Sequence, residues 1–176
     1  MRYVDPDGRE SCRGPQINFF PECERIKNSA NNTIRDSVKD FVVAGHGNAK
    51  YGIFQYPNAT ANSRGRGFPI SAKDLANLIK SHPKYTSDCT VVLWSCNTGA
   101  VNDDGKIYAQ EVANELGEGA KVKAPNKYVW IYGDRPIRIA GKTIRIEGDS
   151  IIEEWNGNDP GKMILFIGQK KNENVD

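Results

Sequence analysis

The stretch Thr90-Val91-Val92-Leu93-Trp94-Ser95-Cys96 is the most informative segment of the chain for its fold. Its first five residues form a continuous run of β-branched and apolar side chains, which is typical of a strand buried on both faces. Residues 40–45 form a second such run, which ends in glycine and is followed by His46. Both runs therefore predict central strands of one sheet.

Two amphipathic segments lie on either side of the strand run at residues 90–94 and predict helices. Residues 71–80 begin with Ser71, and Asp74 follows three residues later in the manner of a capping box. Residues 107–116 have the same apolar periodicity, and Gly117 closes them. The apolar face of the first helix is expected to comprise Leu75, Leu78 and Ile79.

The alternation of strands and helices predicts an α/β fold whose central sheet is mainly parallel and flanked by helices. Residues 1–39 show little periodicity, so we assign them to an irregular N-terminal arm that carries one short helix. Residues 40–176 are assigned to one domain that contains the sheet. Residues 136–147 are interpreted as a hairpin that turns at Ala140-Gly141-Lys142. Further strands are expected at residues 51–56, 122–124, 128–132 and 163–167.

The composition excludes several functional classes. The net charge of +2 gives no basic face for nucleic acid, and no apolar run approaches the roughly 18 residues of a membrane span. The N-terminus lacks the pattern of a secretory signal. With four cysteines in no CxxC pair and two histidines, the chain offers no zinc-site spacing, and we expect reduced thiols and no metal or organic cofactor.

The candidate chemistry lies at the carboxyl ends of the two buried strands, where α/β sheets bind their ligands. His46 follows the strand at residues 40–45 and lies between Gly45 and Gly47, and Cys96 follows the strand at residues 90–94. A cysteine attacks efficiently only as a thiolate, and a nearby imidazole can take its proton. The backbone N–H groups of Gly47 and Cys96 are the candidate donors to an oxyanion.

The two motifs, residues 41–47 and 91–99, resemble those of the caspase-like cysteine peptidases, and the resemblance covers about residues 40–132. It implies a caspase-like fold with His46 as general base, Cys96 as nucleophile, and an oxyanion hole formed by Gly47 and Cys96. The Gln-Ala-Cys sequence of caspases is absent, so the resemblance does not imply cleavage after aspartate. Asp134 falls near the expected substrate pocket and would favour a basic residue; alternatively, it is a turn aspartate.

The segment Arg2-Tyr3-Val4-Asp5-Pro6-Asp7-Gly8-Arg9 resembles the junction that precedes the toxin domain of bacterial Rhs (YD-repeat) proteins. This resemblance implies an endopeptidase effector that is secreted or delivered and acts in the cytoplasm of a target cell. Its expected partners are a protein substrate in that cell and a cognate immunity protein. No nucleic-acid or membrane partner is expected.

Alternative interpretations remain open for both residues and function. Cys96 alone is also consistent with a buried structural thiol, and His46 with a turn histidine bonded to backbone. His82 is interpreted as structural or solvated. The same cysteine and histidine also suit amidase, deamidase or transpeptidase chemistry. A catalytically inactive caspase-like module that binds a partner is the alternative from another functional class.

Overall fold

The computed structural model describes residues 14–34, 37, 39–132, 136–147 and 150–170. None of the helices in these ranges is long and apolar enough to cross a membrane. The elements in chain order are β1 (Ile17–Asn18), α1 (Arg25–Thr33), β2 (Asp40–Ala44), β3 (Gly47–Asn48), β4 (Gly52–Gln55), β5 (Phe68–Pro69), α2 (Ala72–Ser81), β6 (Thr90–Trp94), α3 (Tyr108–Leu116), β7 (Lys121–Pro125), β8 (Tyr128–Trp130), β9 (Arg138–Glu147), β10 (Ser150–Pro160) and β11 (Met163–Ile167).

The central sheet has five strands in the order β1-β2-β6-β7-β11. The first four strands run parallel, and β11 joins β7 in the antiparallel direction. In the pairing of β2 with β6, Val42 lies opposite Val92 and Ala44 opposite Trp94, so the two strands end side by side. The predicted α/β class is therefore confirmed, with a mixed rather than purely parallel sheet.

Both faces of the two central strands are covered, which explains their continuous apolar sequences. Phe41, Val43 and Leu93 pack into the core beneath α2 and α3. The alternate residues Val42 and Val92 pack on the opposite face, together with residues of α1. Each of these side chains is almost completely buried, and full burial stabilises the fold by about 1.5–3 kcal/mol per side chain.

The two predicted long helices are confirmed, with one error in their packing. The Ser71 hydroxyl caps α2 by accepting a hydrogen bond from the Asp74 N–H at 3.0 Å. Leu75 and Ile79 are completely buried, as expected. Leu78, however, is 43% exposed, and Ala76 occupies the buried position instead. The buried face of α2 therefore comprises Ala72, Leu75, Ala76 and Ile79, and Leu78 lies outside it.

The predicted hairpin at 140–142 is wrong. Strand β9 runs without interruption through Gly141 and pairs with β10, in a sheet of order β10-β9-β8. A Cβ at Gly141 would overlap the carboxylate of Asp159, close to the point where the register of β10 shifts. The glycine is therefore needed for close approach within a strand rather than for a turn.

Residues 17–33 contribute two elements to the described fold. Strand β1 is an edge of the central sheet, where Ile17 pairs with Val43. Helix α1 buries Ala30 against the same sheet face as Val42. This placement brings the residue that precedes α1, Glu24, to the carboxyl end of β2.

Gly52→Ala tests the packing between β4 and α3. Gly52 has φ +73° and its Cβ would overlap the ring of the buried Tyr108, whose hydroxyl donates to the Ile70 carbonyl at 3.0 Å. We expect the substitution to lower the free energy of unfolding by about 2–4 kcal/mol, because a left-handed alanine is strained and the ring must move. Urea denaturation of the purified protein measures this loss.

Gly105→Ala is the matched control for that substitution. Gly105 has φ +74°, but nothing lies within 4 Å of the position of its Cβ. The control therefore carries only the backbone strain, which costs about 1–2 kcal/mol. Equal losses at the two positions would contradict the assigned contact with Tyr108.

Candidate active site

His46 and Cys96 line the same cavity at the carboxyl ends of β2 and β6. The two turns that carry them are joined by a hydrogen bond from the Gly45 N–H to the Trp94 carbonyl at 3.3 Å. The cavity has a volume of about 340 Å³ and extends from α1, past the carboxyl ends of β2 and β6, to β8. The structure thus brings together the imidazole and the thiol that the sequence places on separate strands.

Gly47 lies close to the turn that carries Cys96. A Cβ at this position would overlap the hydroxyl of Ser95, which is completely buried and precedes Cys96. The Phe54 N–H donates to the His46 carbonyl at 2.9 Å, so Gly47 and Ile53 form the non-hydrogen-bonded pair next to it. The N–H of Gly47 consequently points away from β4.

The Cys96 thiol is held by the backbone of β8. Its Sγ accepts a hydrogen bond from the Val129 N–H at 3.3 Å and lies 3.9 Å from the Val129 carbonyl oxygen. Burial raises the pKa of the thiol, and the Val129 hydrogen bond opposes that rise. The hydrogen bonds of the described residues include none between His46 and Cys96.

The turn after Cys96 has an unusual backbone conformation. Asn97 adopts φ 57°, in the left-handed region that asparagine tolerates better than most side chains. Its N–H donates to the Lys127 carbonyl at 2.9 Å. The chain therefore turns at Asn97, directly after the cysteine. Cys96 lies beyond the end of β6 and lines the cavity.

Glu24 is a site residue that the sequence reasoning missed. Its Oε2 lies 2.5 Å from the Nε2 of His46, and both side chains are partly buried, with exposed fractions of 22% and 29%. A carboxylate only accepts hydrogen bonds, so His46 donates from Nε2, and in the neutral form of the imidazole the lone pair lies on Nδ1. Glu24 lies between Cys23 and α1, in a segment without apolar periodicity, and no local sequence signal links it to a histidine 22 residues later.

Arg64 holds the second oxygen of the Glu24 carboxylate. It reaches from the loop between β4 and β5, with Nε 3.2 Å from Oε1. Its guanidinium also donates to the Tyr56 hydroxyl at 2.5 Å and lies over the Tyr56 ring. The rings of Phe20 and Tyr56 meet the His46 ring edge to face, with centroids 4.9 and 5.8 Å away. The imidazole is thereby fixed from three sides.

Of the remaining sequence candidates, the structure describes His82, which does not line this cavity. His82 packs edge to face against the Phe41 ring, and its Nδ1 accepts a hydrogen bond from the Lys84 N–H. Asp134 and the segment Arg2–Arg9 lie outside the described residues. Within the part of the chain that the structure describes, no group of three or more His, Cys, Asp and Glu side chains could hold a metal ion.

Alkylation of Cys96 provides a test of the thiol's surroundings. Because burial raises its pKa, the thiol keeps its proton at neutral pH, and only the thiolate reacts with iodoacetamide. We expect the alkylation rate of Cys96 to reach half its maximum at a higher pH than that of a free cysteine, whose pKa is about 8.5. Mass spectrometry of the Cys96 peptide across a pH series measures this midpoint. A midpoint below that of glutathione would contradict the assigned burial.

Comparisons with known proteins identify a family but no characterised relative. No curated protein and no solved structure matches the chain. One family model, described as a domain of unknown function (DUF8616), matches residues 15–152. The match spans more than three quarters of the chain and includes Glu24, His46 and Cys96. The chain therefore belongs to the family of the domain of unknown function DUF8616.

Proposed function

We propose that the protein is a cysteine peptidase with a Cys96 nucleophile, a His46 base and a Glu24 positioning residue. The observation that carries this proposal is the arrangement of His46, which lines the cavity of Cys96 while its Nε2 is held by a carboxylate. A histidine with one nitrogen fixed by an acid and the other able to accept a proton is the arrangement that activates nucleophiles in hydrolases. The proposed fold assignment within the α/β class is caspase-like.

The proposed reaction has two halves. The Nδ1 of His46 takes the proton of the Cys96 thiol as Sγ bonds to the peptide carbonyl carbon, and the Gly47 and Cys96 N–H groups stabilise the oxyanion. The C–N bond then breaks, and His46 returns the proton to the leaving amine. In the second half, water attacks the thioester with His46 as base, which releases the carboxylic acid and restores the thiol.

The proposed biological role is that of a toxin effector domain. The resemblance of residues 2–9 to the Rhs junction and the His-Gly and Ser-Cys motifs support this role. In this proposal the domain is delivered into a target cell, cleaves a protein in the cytoplasm there, and is neutralised in the producing cell by an immunity protein.

Expression of wild type and Cys96→Ala in a bacterial host tests the function. We expect wild type to arrest growth and generate new protein N-termini, and Cys96→Ala to do neither. Cys89→Ala is the matched control, because Cys89 is half-buried and packs against the α2–α3 core instead of the cavity. Unchanged toxicity of Cys96→Ala would contradict the hydrolase and favour a binding module. Cys96-dependent toxicity without new N-termini would favour amidase or deamidase chemistry.

A further inference from the structure

The walls of the Cys96 cavity are largely apolar. Phe20 and Ile26 approach from the N-terminal segment, Trp94 from the end of β6, and Trp130 and Ile131 from β8 and the residues after it. These side chains come from three separate parts of the chain and meet around the sulfur. A side chain that enters the cavity is therefore surrounded by aliphatic and aromatic groups.

The polar groups that face this cavity already have partners. Glu153 on β10 lies at the cavity and accepts a hydrogen bond from the Lys142 ammonium at 2.7 Å. The Lys142 nitrogen also lies 5.1 Å from the centre of the Tyr128 ring. The indole N–H of Trp130 donates to the Ala140 carbonyl at 3.4 Å. Because Lys142 already pairs with Glu153, a basic side chain gains little there, and the described lining residues include no lysine or arginine to pair with an acidic one.

The cavity volume suits a single side chain. Its value of about 340 Å³ lies at the lower end of the roughly 300–1,000 Å³ found for ligand pockets. We propose that the cavity selects protein substrates with a large apolar or aromatic residue adjoining the scissile bond. The inference rests on the proposed peptidase function and adds the substrate class. It differs from the basic preference that Asp134 would give.

A peptide library prepared from a digested proteome tests this preference. The purified full chain is incubated with the library, and the new termini are compared with those from Cys96→Ala. We expect Phe, Tyr, Trp, Leu or Met to be enriched at one of the two positions flanking the cleaved bond. Cys96-dependent cleavage at basic, acidic or small residues would overturn the inference while leaving the peptidase intact. Absence of any Cys96-dependent cleavage would overturn both.

Two variants separate the apolar walls from the charged rim. Ile26→Ala removes part of the wall and is expected to lower kcat/KM for peptides with the preferred apolar residue by about 10-fold. Glu153→Gln removes the charge at the rim, and we expect the preferred residue to remain apolar because the Glu153 carboxylate already pairs with Lys142. A profile that loses basic residues in Glu153→Gln would overturn the inference. Circular dichroism establishes that each variant is folded.

Discussion

His46→Ala is expected to lower the rate of Cys96-dependent cleavage by about 10²–10⁴-fold, the usual contribution of a general acid–base residue. The loss is large because burial raises the pKa of Cys96, so the thiol does not ionise on its own at neutral pH. Without the imidazole, the proton of the attacking thiol and the proton delivered to the leaving amine lose the carrier proposed for both. The measurement is kcat/KM with a peptide taken from the wild-type cleavage profile.

His82→Ala is the control, because His82 is the only other histidine in the chain and lies against Phe41. We expect it to leave kcat/KM within about 2-fold of wild type. The double variant His46→Ala/Cys96→Ala should be no less active than Cys96→Ala alone, since the two residues act as one unit and their effects are not additive. Losses that multiply would show independent roles and contradict the proposed pair.

The central sheet and its two long helices could be predicted because their sequences carry strong local patterns. The run at 90–94 is apolar on both faces, and the structure buries both faces against different helices. The start of α2 could be predicted from Ser71 and Asp74, which form the expected cap. The shared cavity of His46 and Cys96 followed from a topological rule, that parallel strands present their carboxyl ends on one edge.

The long β9–β10 pair could not be predicted because its key residue has two physical interpretations. Glycine serves both for turns and for close approach inside a strand, and only the position of Asp159 decides between them. The alternation of Ile144 and Ile146 with polar residues was a correct strand signal on the distal side of Gly141. The turn interpretation divided that strand in two.

Glu24 could not be predicted because its role is set entirely by tertiary contacts. Its segment has no periodicity, and its carboxylate makes no capping bond to α1 although it stands at the N-cap. Glu24 reaches His46 because β1 pairs with β2 and because α1 packs on the sheet face that carries Val42 and Val92. An acid in such a position becomes recognisable only when the strand order is known.

Glu24→Gln is expected to lower kcat by about 10–10³-fold with little change in KM. This is less than the ~10⁴-fold loss that amide replacement of the aspartate causes in a serine protease triad, because Glu24 is 22% exposed to water. The physical reason is the pair of donors that face Glu24: Arg64 at Oε1 and His46 at Oε2. Glutamine has one oxygen, so when that oxygen accepts from Arg64, the amide NH₂ faces His46. The imidazole must then accept at Nε2 and keep its proton on Nδ1, which removes the base.

Glu22→Gln is the matched control, because Glu22 is 63% exposed and pairs with Lys27 instead of the histidine. Its activity should equal that of wild type. An unchanged kcat in Glu24→Gln would contradict the positioning role, and a lowered unfolding free energy in proportion to the lost activity would indicate a structural role instead.

Removal of Arg64 should partly rescue the glutamine variant. In Arg64→Met/Glu24→Gln the guanidinium that would bind the amide oxygen is absent. The glutamine side chain can therefore rotate so that its oxygen accepts a hydrogen bond from the Nε2 of His46. This arrangement restores the lone pair on Nδ1. We expect the double variant to recover about 10-fold in kcat over Glu24→Gln, while Arg64→Met alone changes kcat by less than about 3-fold because the Glu24 carboxylate still accepts from His46. A purely structural role of Glu24 predicts the opposite sign, since loss of a second contact at the same site would lower activity further. The sign of this coupling therefore decides whether Glu24 acts through the protonation state of His46.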